Sequence, residues 1–456
     1  MRRKSAVLKT SKPWLSIALI SVMIFLSACG SSSSNGGSSS APSAQPNQGE
    51  ASEASNAPVE IEFWYGLGGN LGENMERLIA AFNESQDNIV VKGLVQASYS
   101  ETSTKLQAAI ASGNVPAAVL SSNAEWARRG YFEELDSYIA GDSDFNKEDV
   151  IPTFLEQGQV DGKQYFLPMY GTTQVMYYRK DILAEHGIDP ATLTTWEALA
   201  EAAAKMTKKD GGTTTFYGWE PMWGKENMMD AVFSKGGSVL SEDGRTVTIT
   251  TDEWVDTWDY FRKWIHEDQI MRIHHGGTGW EYWYKTIDDV MQGFAAGYTG
   301  SSGDQGDLDF SIIAAMEQPG WEGHGQGKPV AEAILAGIPA AASPEQKAAA
   351  YEWFKFFMKP ENTASWSMNT GYIAVRESAQ NDPAFADFAK ENPQITVPLS
   401  QATHASRPFV DPTGGKISDA LATAADKVQI SNLPAAEALA EAQAEAQAAL
   451  DAHYKQ

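Results

Sequence analysis

The stretch Gly162-Lys163-Gln164-Tyr165-Phe166-Leu167-Pro168-Met169-Tyr170-Gly171-Thr172-Thr173-Gln174-Val175-Met176-Tyr177-Tyr178-Arg179-Lys180-Asp181 decides how the rest of the chain is read. Asp161-Gly162 is a two-residue hairpin signal, with Gln159-Val160 before it and Tyr165-Phe166-Leu167 after it. Proline has no backbone N–H for a ladder, so Pro168 is expected to take the strand out of its sheet. Val175-Met176-Tyr177-Tyr178 is apolar, aromatic and compact, which suits a second, fully buried strand. The passage between them is either a kink within one sheet or a crossover from one lobe to another. The run by itself leaves both open.

Upstream, Val59 to Tyr65 alternates with period two and reads as the first strand. A glycine-rich turn, Gly66 to Gly72, leads into a helix with Met75, Leu78, Ile79 and Phe82 on one face. The turn lacks a Lys-Ser/Thr pair at phosphate-loop spacing and has no dinucleotide fingerprint, which argues against a nucleotide site. A strand over Ile89–Leu94, a helix over Glu101–Ser112 and a short strand over Ala117–Leu120 complete a β-α-β-α-β run, the signature of a mostly parallel sheet.

Downstream, Thr194-x-x-Glu197 is a capping box that opens a helix through Lys205. The loop from Gly211 to Asn227 carries Tyr217, Trp219 and Trp223. Asp252–Glu267 is a helix whose Trp254, Val255, Trp258, Phe261 and Ile265 recur at helical spacing and read as core. Trp280, Trp283 and Tyr284 follow, and a helix ends near Phe294. The loop Gly297-Tyr298-Thr299-Gly300-Ser301-Ser302-Gly303 is rich in glycine and serine but forms no Gly-x-Ser-x-Gly nucleophile elbow. Ser343-Pro344-x-Gln346 supplies N-cap, N1 proline and capping glutamine for a helix ending at Lys359-Pro360. An Ala-rich helix from Pro434 closes the chain.

The N-terminal segment carries Arg2, Arg3, Lys4, Lys9 and Lys12, then an apolar run from Trp14 to Leu26 that is short for a membrane span. It ends in Leu26-Ser27-Ala28-Cys29, a lipobox containing the only cysteine of the 456 residues. Residues 1–28 are therefore expected to be a lipoprotein signal peptide, and Cys29 the acylated anchor. Residues 29–57 are mostly Ser, Gly, Ala, Asn, Gln and Pro, too poor in apolar surface to fold, and read as a tether. With no cysteine left for a disulfide, the body must be held by its core. Removing residues 1–28 takes five basic and no acidic side chains from 34 Lys+Arg and 59 Asp+Glu, leaving a net charge near −30. Such a body is not expected to bind nucleic acid or an anionic bilayer by charge.

Four groups of residues, in order across 59–430, resemble the family 1 extracellular solute-binding proteins of bacterial ABC importers, the maltose-binding and glycerol-3-phosphate-binding group. They are Phe63-Trp64-Tyr65 with its glycine-rich turn, and Gly162-Lys163-x-Tyr165-x-Leu167-Pro168 leading to Tyr177-Tyr178-Arg179-Lys180-Asp181. Trp196-Glu197-x-Leu199 comes third. The fourth group runs from Ser343-Pro344-Glu345 through Phe357 and Lys359-Pro360-Glu361 to Thr370-Gly371-Tyr372. The resemblance implies an α/β, two-lobed, type II periplasmic-binding-protein-like fold with three interlobe crossings, near Gly171–Gln174, Tyr298–Gly300 and Gly337–Ala342. The N-lobe would be 58–172 plus 300–340, and the C-lobe 173–299 plus 341–456. It also implies a monomer that closes by hinge bending on a small solute, without cofactor, metal or catalytic residues, and presents it to a membrane permease. The lipid on Cys29 and the long tether suit the extracellular face of a Gram-positive cell.

By the same resemblance, Tyr99, Tyr372 and Arg407 fall where the glycerol-phosphate branch has ligand residues, and Thr172 with Ser301 or Ser302 at its hinge. Two departures stand out: Asn123 replaces a ligand carboxylate, and Glu332-Ala333 replaces a Gly-Gly pair. A carboxylate at the pocket repels phosphate but accepts hydrogen bonds from hydroxyls, which favours a neutral oligosaccharide over sn-glycerol 3-phosphate or a glycerophosphodiester. Trp219 and Trp223 lie in a loop where sugar-binding relatives place stacking aromatics, and either line the cleft or pack a lobe. Two rivals remain: a secreted glycosidase, for which no catalytic motif is seen, and a metal protein using His266, His274, His275 and His324, whose spacing fits no zinc pattern.

Overall fold

The computed structural model describes residues 57–455. The signal peptide, the acylation of Cys29 and all but the last residue of the tether lie outside the described residues. Eight strands form the main sheet: β1 (Val59–Tyr65), β2 (Ile89–Val95), β3 (Ala118–Val119), β4 (Phe166–Arg179), β5 (Glu220–Pro221), β6 (Gly297–Ser301), β7 (Ile313–Met316) and β8 (Ala331–Gly337). The helices that shape the cores and the cavity are α1 (Gly69–Ser85), α2 (Tyr99–Ser112), α3 (Trp196–Met206), α4 (Glu226–Ser234), α5 (Asp252–His266), α6 (Glu281–Gln292), α7 (Pro344–Phe357), α8 (Pro360–Thr370), α9 (Lys416–Gln429) and α10 (Ala435–His453). Among the described residues no helix is long and apolar enough to cross a membrane.

The strand order is β2-β1-β3-β8-β4-β6-β5, with β7 also on β4. β4 joins two groups of strands. Phe166–Thr173 pairs with β8, whereas Gln174–Tyr178 pairs with β6 and Met176–Arg179 with β7. Pro168 does not end the strand, contrary to expectation. Its partner is Leu335, while Tyr170 pairs with Ile334, so Met169 is an extra residue in the ladder. Such a bulge tolerates the missing proline N–H. The sheet is mixed rather than mostly parallel: β1 runs parallel to β2 and β3, but β8 and β4 are antiparallel, as are β4 and β6.

Two large apolar clusters flank the junction. The first gathers Phe63 of β1, Met75, Ile79 and Phe82 of α1, Tyr170 of β4, Trp353, Phe354 and Phe357 of α7, and Trp366 of α8. Trp353 meets Phe63 edge-on at 5.7 Å. The second holds Trp196, Trp219, Trp254, Trp258, Phe261, Leu421 and Leu439. Each such side chain, fully buried, stabilises by about 2–3 kcal/mol relative to exposure. The α5 aromatics expected in the core are there.

The expected boundaries at residues 300 and 341 do not coincide with the change of core. β7 remains on the second half of β4, and Trp321 belongs to the second cluster. α7 and α8 pack on the first cluster, whereas α9 and α10 pack on the second. Periodicity shows that α7 has a buried face; only the aromatic surface of β1 decides what that face meets. The Ser343–Gln346 capping box is present at 3.2 and 3.3 Å. The cap of α3 sits one residue beyond the expected one, with Thr195 Oγ1 accepting the Ala198 N–H at 3.2 Å.

Candidate functional site

A cavity of about 320 Å³ opens where the two strand groups meet. One wall comes from the β1–α1 turn through Leu67, Gly68 and Leu71, and from Tyr99 at the start of α2. β4 supplies Thr172 and Gln174 at its centre, and β8 supplies Glu332 and Ile334. The opposite wall is aromatic: Met222 and Trp223 from the β5–α4 connection, Trp280 ahead of α6, and Tyr282, Trp283 and Tyr284 on its first turn. Ser301, Gly303, Asp304 and Asp307 at and after the end of β6, and Tyr372 after α8, close the floor.

Glycine is required at the tightest contact. A Cβ on Gly303 would stand 2.2 Å from Cζ of Tyr372, so only glycine lets that ring reach the cavity. Tyr372 packs on Tyr170 at 4.6 Å, and Tyr170 OH shares a 2.8 Å hydrogen bond with Tyr99 OH. Burial holds all three phenols well above their usual pKa, so they act as neutral hydrogen-bonding groups. On the aromatic side Trp223 meets Tyr282 at 4.8 Å with rings nearly perpendicular, and its Nε1 donates to Asp426 at 2.8 Å. Trp280 and Trp283 stand edge-to-face at 5.8 Å. Such rings offer flat apolar faces, while the hydroxyls and carboxylates around them offer hydrogen bonds.

The polar groups are chiefly acidic. Asp304 accepts from Trp283 Nε1 at 2.7 Å and Tyr298 OH at 3.1 Å. Burial nevertheless pushes its carboxyl up to about 8, because neither donor is a cation and Asp307 adds like charge. Burial also raises Asp307, helped by Glu73, and Glu332, helped by Glu226. Among the described residues no Lys or Arg lines this cavity; Lys225, paired with Glu226 at 2.7 Å, lies in an adjoining pocket that shares Thr172, Gln174 and Glu332.

Six of the expected residues converge here: Tyr99, Thr172, Trp223, Ser301, Glu332 and Tyr372. Thr172 Oγ1 lies 3.1 Å from Ser301 Oγ and 3.4 Å from Ser302 Oγ, so Ser302 is buried just behind the wall. Asn123 and Arg407 do not reach it. They border a neighbouring pocket that shares Glu332, with Asn123 capping a short helix through Trp126 N–H at 2.9 Å and Arg407 exposed beside Glu156 at 3.7 Å. Trp219 is a correction: it is fully buried in the second core, where its Nε1 donates to Thr299 at 2.9 Å. The reading of the sequence assigned no role to Tyr282, Asp304 or Asp307, and none beyond their position to Trp280, Trp283 and Tyr284. Their signal was the density of the run Trp280-x-Tyr282-Trp283-Tyr284 behind three glycines.

Behind the aromatic wall, Glu220, His274 and Asp289 bring three potential ligand atoms within 4.8 Å of one another. His266, His275 and His324 are not part of this group. Arg272 already bonds both carboxylates, to Glu220 at 2.5 Å and to Asp289, and its guanidinium lies over Tyr217. A metal ion there would have to displace that cation. The cluster instead ties α6, through Asp289, to β5, through Glu220.

Residues 77–397 match the bacterial extracellular solute-binding protein family. The sn-glycerol-3-phosphate-binding periplasmic protein UgpB of Brucella abortus is 24% identical over 362 residues, covering 76% of this chain and 81% of the relative. UgpB from Mycobacterium tuberculosis, solved with glycerophosphocholine, superposes with a TM-score of 0.77 at 20% identity over 87% of this chain and 99% of that one. The substrate-binding protein Lmo0181 of Listeria monocytogenes, solved with cycloalternan, gives 0.75 at 20% identity over 85% and 98%. Identities this low show a shared fold and not a shared ligand. The chain belongs to the bacterial extracellular solute-binding proteins, the two-lobed α/β binding subunits of ABC importers, and is a binding protein rather than an enzyme.

Proposed function

We propose that this protein captures a sugar without phosphate, an oligosaccharide, in the aromatic cavity, closes around it by hinge bending and delivers it to its permease. One observation carries the reading: the cavity is lined by seven aromatic side chains and four carboxylates and by no Lys or Arg. Aromatic faces suit the C–H side of sugar rings, and the carboxylates accept from hydroxyls. A phosphate would meet the charge of Glu226, Asp307 and Glu332 with no cation in the cavity lining to offset it. The neutral oligosaccharide favoured by the sequence meets this requirement. Binding from both sides would stabilise the closed state, and Thr172 with Ser301 marks the bend. On this reading the chain crosses between lobes at about 172–174, 326–330 and 405–409, where the packing changes core.

A phosphate ester is the second reading, favoured by Arg407 in the neighbouring pocket across Glu332 and by the glycerol-phosphate relatives. A thermal-shift screen against oligosaccharides, glycerol 3-phosphate and glycerophosphodiesters separates them. A ligand at one hundred times its Kd adds about 2.7 kcal/mol to the folded state. A shift with a saccharide, lost in Trp223→Ala, supports the first reading; a shift only with phosphate esters, lost in Arg407→Ala, replaces it. Anchoring to the outer face of a Gram-positive membrane through acylated Cys29, and action as a monomer, belong to the same proposal. Failure of Cys29→Ser to abolish palmitate labelling would refute the anchor.

A further inference from the structure

The polar groups of the proposed sugar pocket are unbalanced, and the imbalance narrows the ligand further. Asn227, buried on α4, lines the cavity. Its Nδ2 donates to the carbonyls of Met222 at 3.3 Å and Thr299 at 3.2 Å, which fixes the orientation of the amide. Oδ1 is then a buried acceptor with no partner among the described residues. Gln174, on β4, also leaves Oε1 buried without a partner among the described residues. Buried acceptors of this kind destabilise the protein until a donor meets them.

The carboxylates repeat the pattern. Those of Asp304 are occupied by Trp283 and Tyr298, and that of Glu226 by Lys225 at 2.7 Å. Asp307 and Glu332 have neither a hydrogen bond nor an ion pair through their side chains among the described residues, and each has another acid nearby, Glu73 and Glu226; Lys225, already paired with Glu226, lowers Glu332 by less than Glu226 raises it. A neutral sugar would satisfy the amide acceptors with hydroxyls but leave the excess negative charge without a partner. A quaternary ammonium would offset the charge but, having no N–H, leave Asn227 and Gln174 unpaired. Aromatic faces such as Trp223 and Trp280 accommodate a cation as readily as a sugar ring.

We propose that the pocket is built for a saccharide carrying a protonated amino group, with Glu332 as its counter-charge, Asp307 adding to the field, and Asn227 Oδ1 and Gln174 Oε1 as hydrogen-bond acceptors. This inference rests on the saccharide reading above. It is tested by calorimetric titration of the protein with matched pairs: glucosamine against glucose, galactosamine against galactose, and a β-1,4-linked glucosamine disaccharide against its N-acetylated form, with choline and glycerophosphocholine as further arms. The expected result is that the amino member of at least one pair binds about tenfold tighter or more. In Glu332→Gln the advantage falls to within about twofold while the melting temperature holds. Equal or tighter binding of the uncharged member overturns the inference and leaves the saccharide reading standing. Binding of choline or glycerophosphocholine with no saccharide overturns both, and so does silence from every pair beside a glycerol phosphate that binds.

Discussion

Asp304 is the sharpest place to test the electrostatics of the site. Its carboxyl is buried beneath the cavity, takes hydrogen bonds from Trp283 and Tyr298 and a backbone N–H bond near Ser301, and has Asp307 as its charged neighbour. Burial moves its pKa from 3.8 to about 8. In the unfolded chain it ionises near pH 4, so from there to about pH 8 the native state holds one more proton than the unfolded state. The contribution of this group to stability is complete below the unfolded pKa and is lost as pH rises to the folded one, at up to about 1.4 kcal/mol per pH unit. By pH 7 the loss amounts to about 2–4 kcal/mol once relaxation is allowed for. Asp304→Asn removes the titration and keeps the geometry, because its Oδ1 accepts from Trp283 while its Nδ2 donates to Tyr298 Oη. Another buried carboxyl, Asp230, pushed up to about 7 by its burial, gives the wild type a further slope of the same sign, whereas lowered carboxyls such as Asp142 titrate below this range. The informative quantity is therefore the difference between variant and wild type. Urea unfolding at about pH 5, 6, 7 and 8 is expected to show the asparagine variant gaining relative stability at each step. A difference that stays constant over this range would refute the reasoning, since it would mean that the carboxyl is ionised in both states throughout.

Trp280→Ala is expected to weaken saccharide binding by about 1–2 kcal/mol, roughly tenfold, through loss of a ring face; unchanged affinity by calorimetry would remove it as a binding wall. Arg272→Ala leaves Glu220, which is 0% exposed, beside Asp289 without a cation and should cost about 3–5 kcal/mol in urea unfolding. Adding Glu220→Gln should recover part of that loss, and no recovery would argue against a charge effect. Gly303→Ala forces the Tyr372 ring aside and should cost about 1–3 kcal/mol as well as impair ligand binding; a variant of wild-type affinity would show that the floor yields easily.

Some of this was legible in the chain because local chemistry settles it. Val59–Tyr65 reads as a strand from its alternation, the buried face of α1 from its spacing, and the start of α7 from Ser343, Pro344 and Gln346. The strand through Gln174 was recognisable as the passage on which the architecture turns, although its continuity past Pro168 depends on a bulge opposite β8. The motif groups identified the family, and through it six residues of the cavity wall. The aromatic wall of α6 escaped because Trp and Tyr at helical spacing usually mean core. What makes these residues a wall is that Asp289, on the same helix, is tied through Arg272 to β5.

What the sequence determined by itself was therefore the set of elements, their buried faces and the acidity of the body, since each depends on neighbours a few residues apart or on composition alone. Tertiary structure decided which surfaces those faces meet. α7 joins the β1 core and α9 the other, and two tryptophans of one loop part company. β5, at Glu220–Pro221, pairs with β6 just beyond Trp219 and seals that ring beneath the sheet, where it bonds Thr299. Trp223, past the end of the strand, is left to turn toward the cavity. The two residues have the same chemistry, and only a pairing with a strand some eighty residues away in sequence tells core from binding wall.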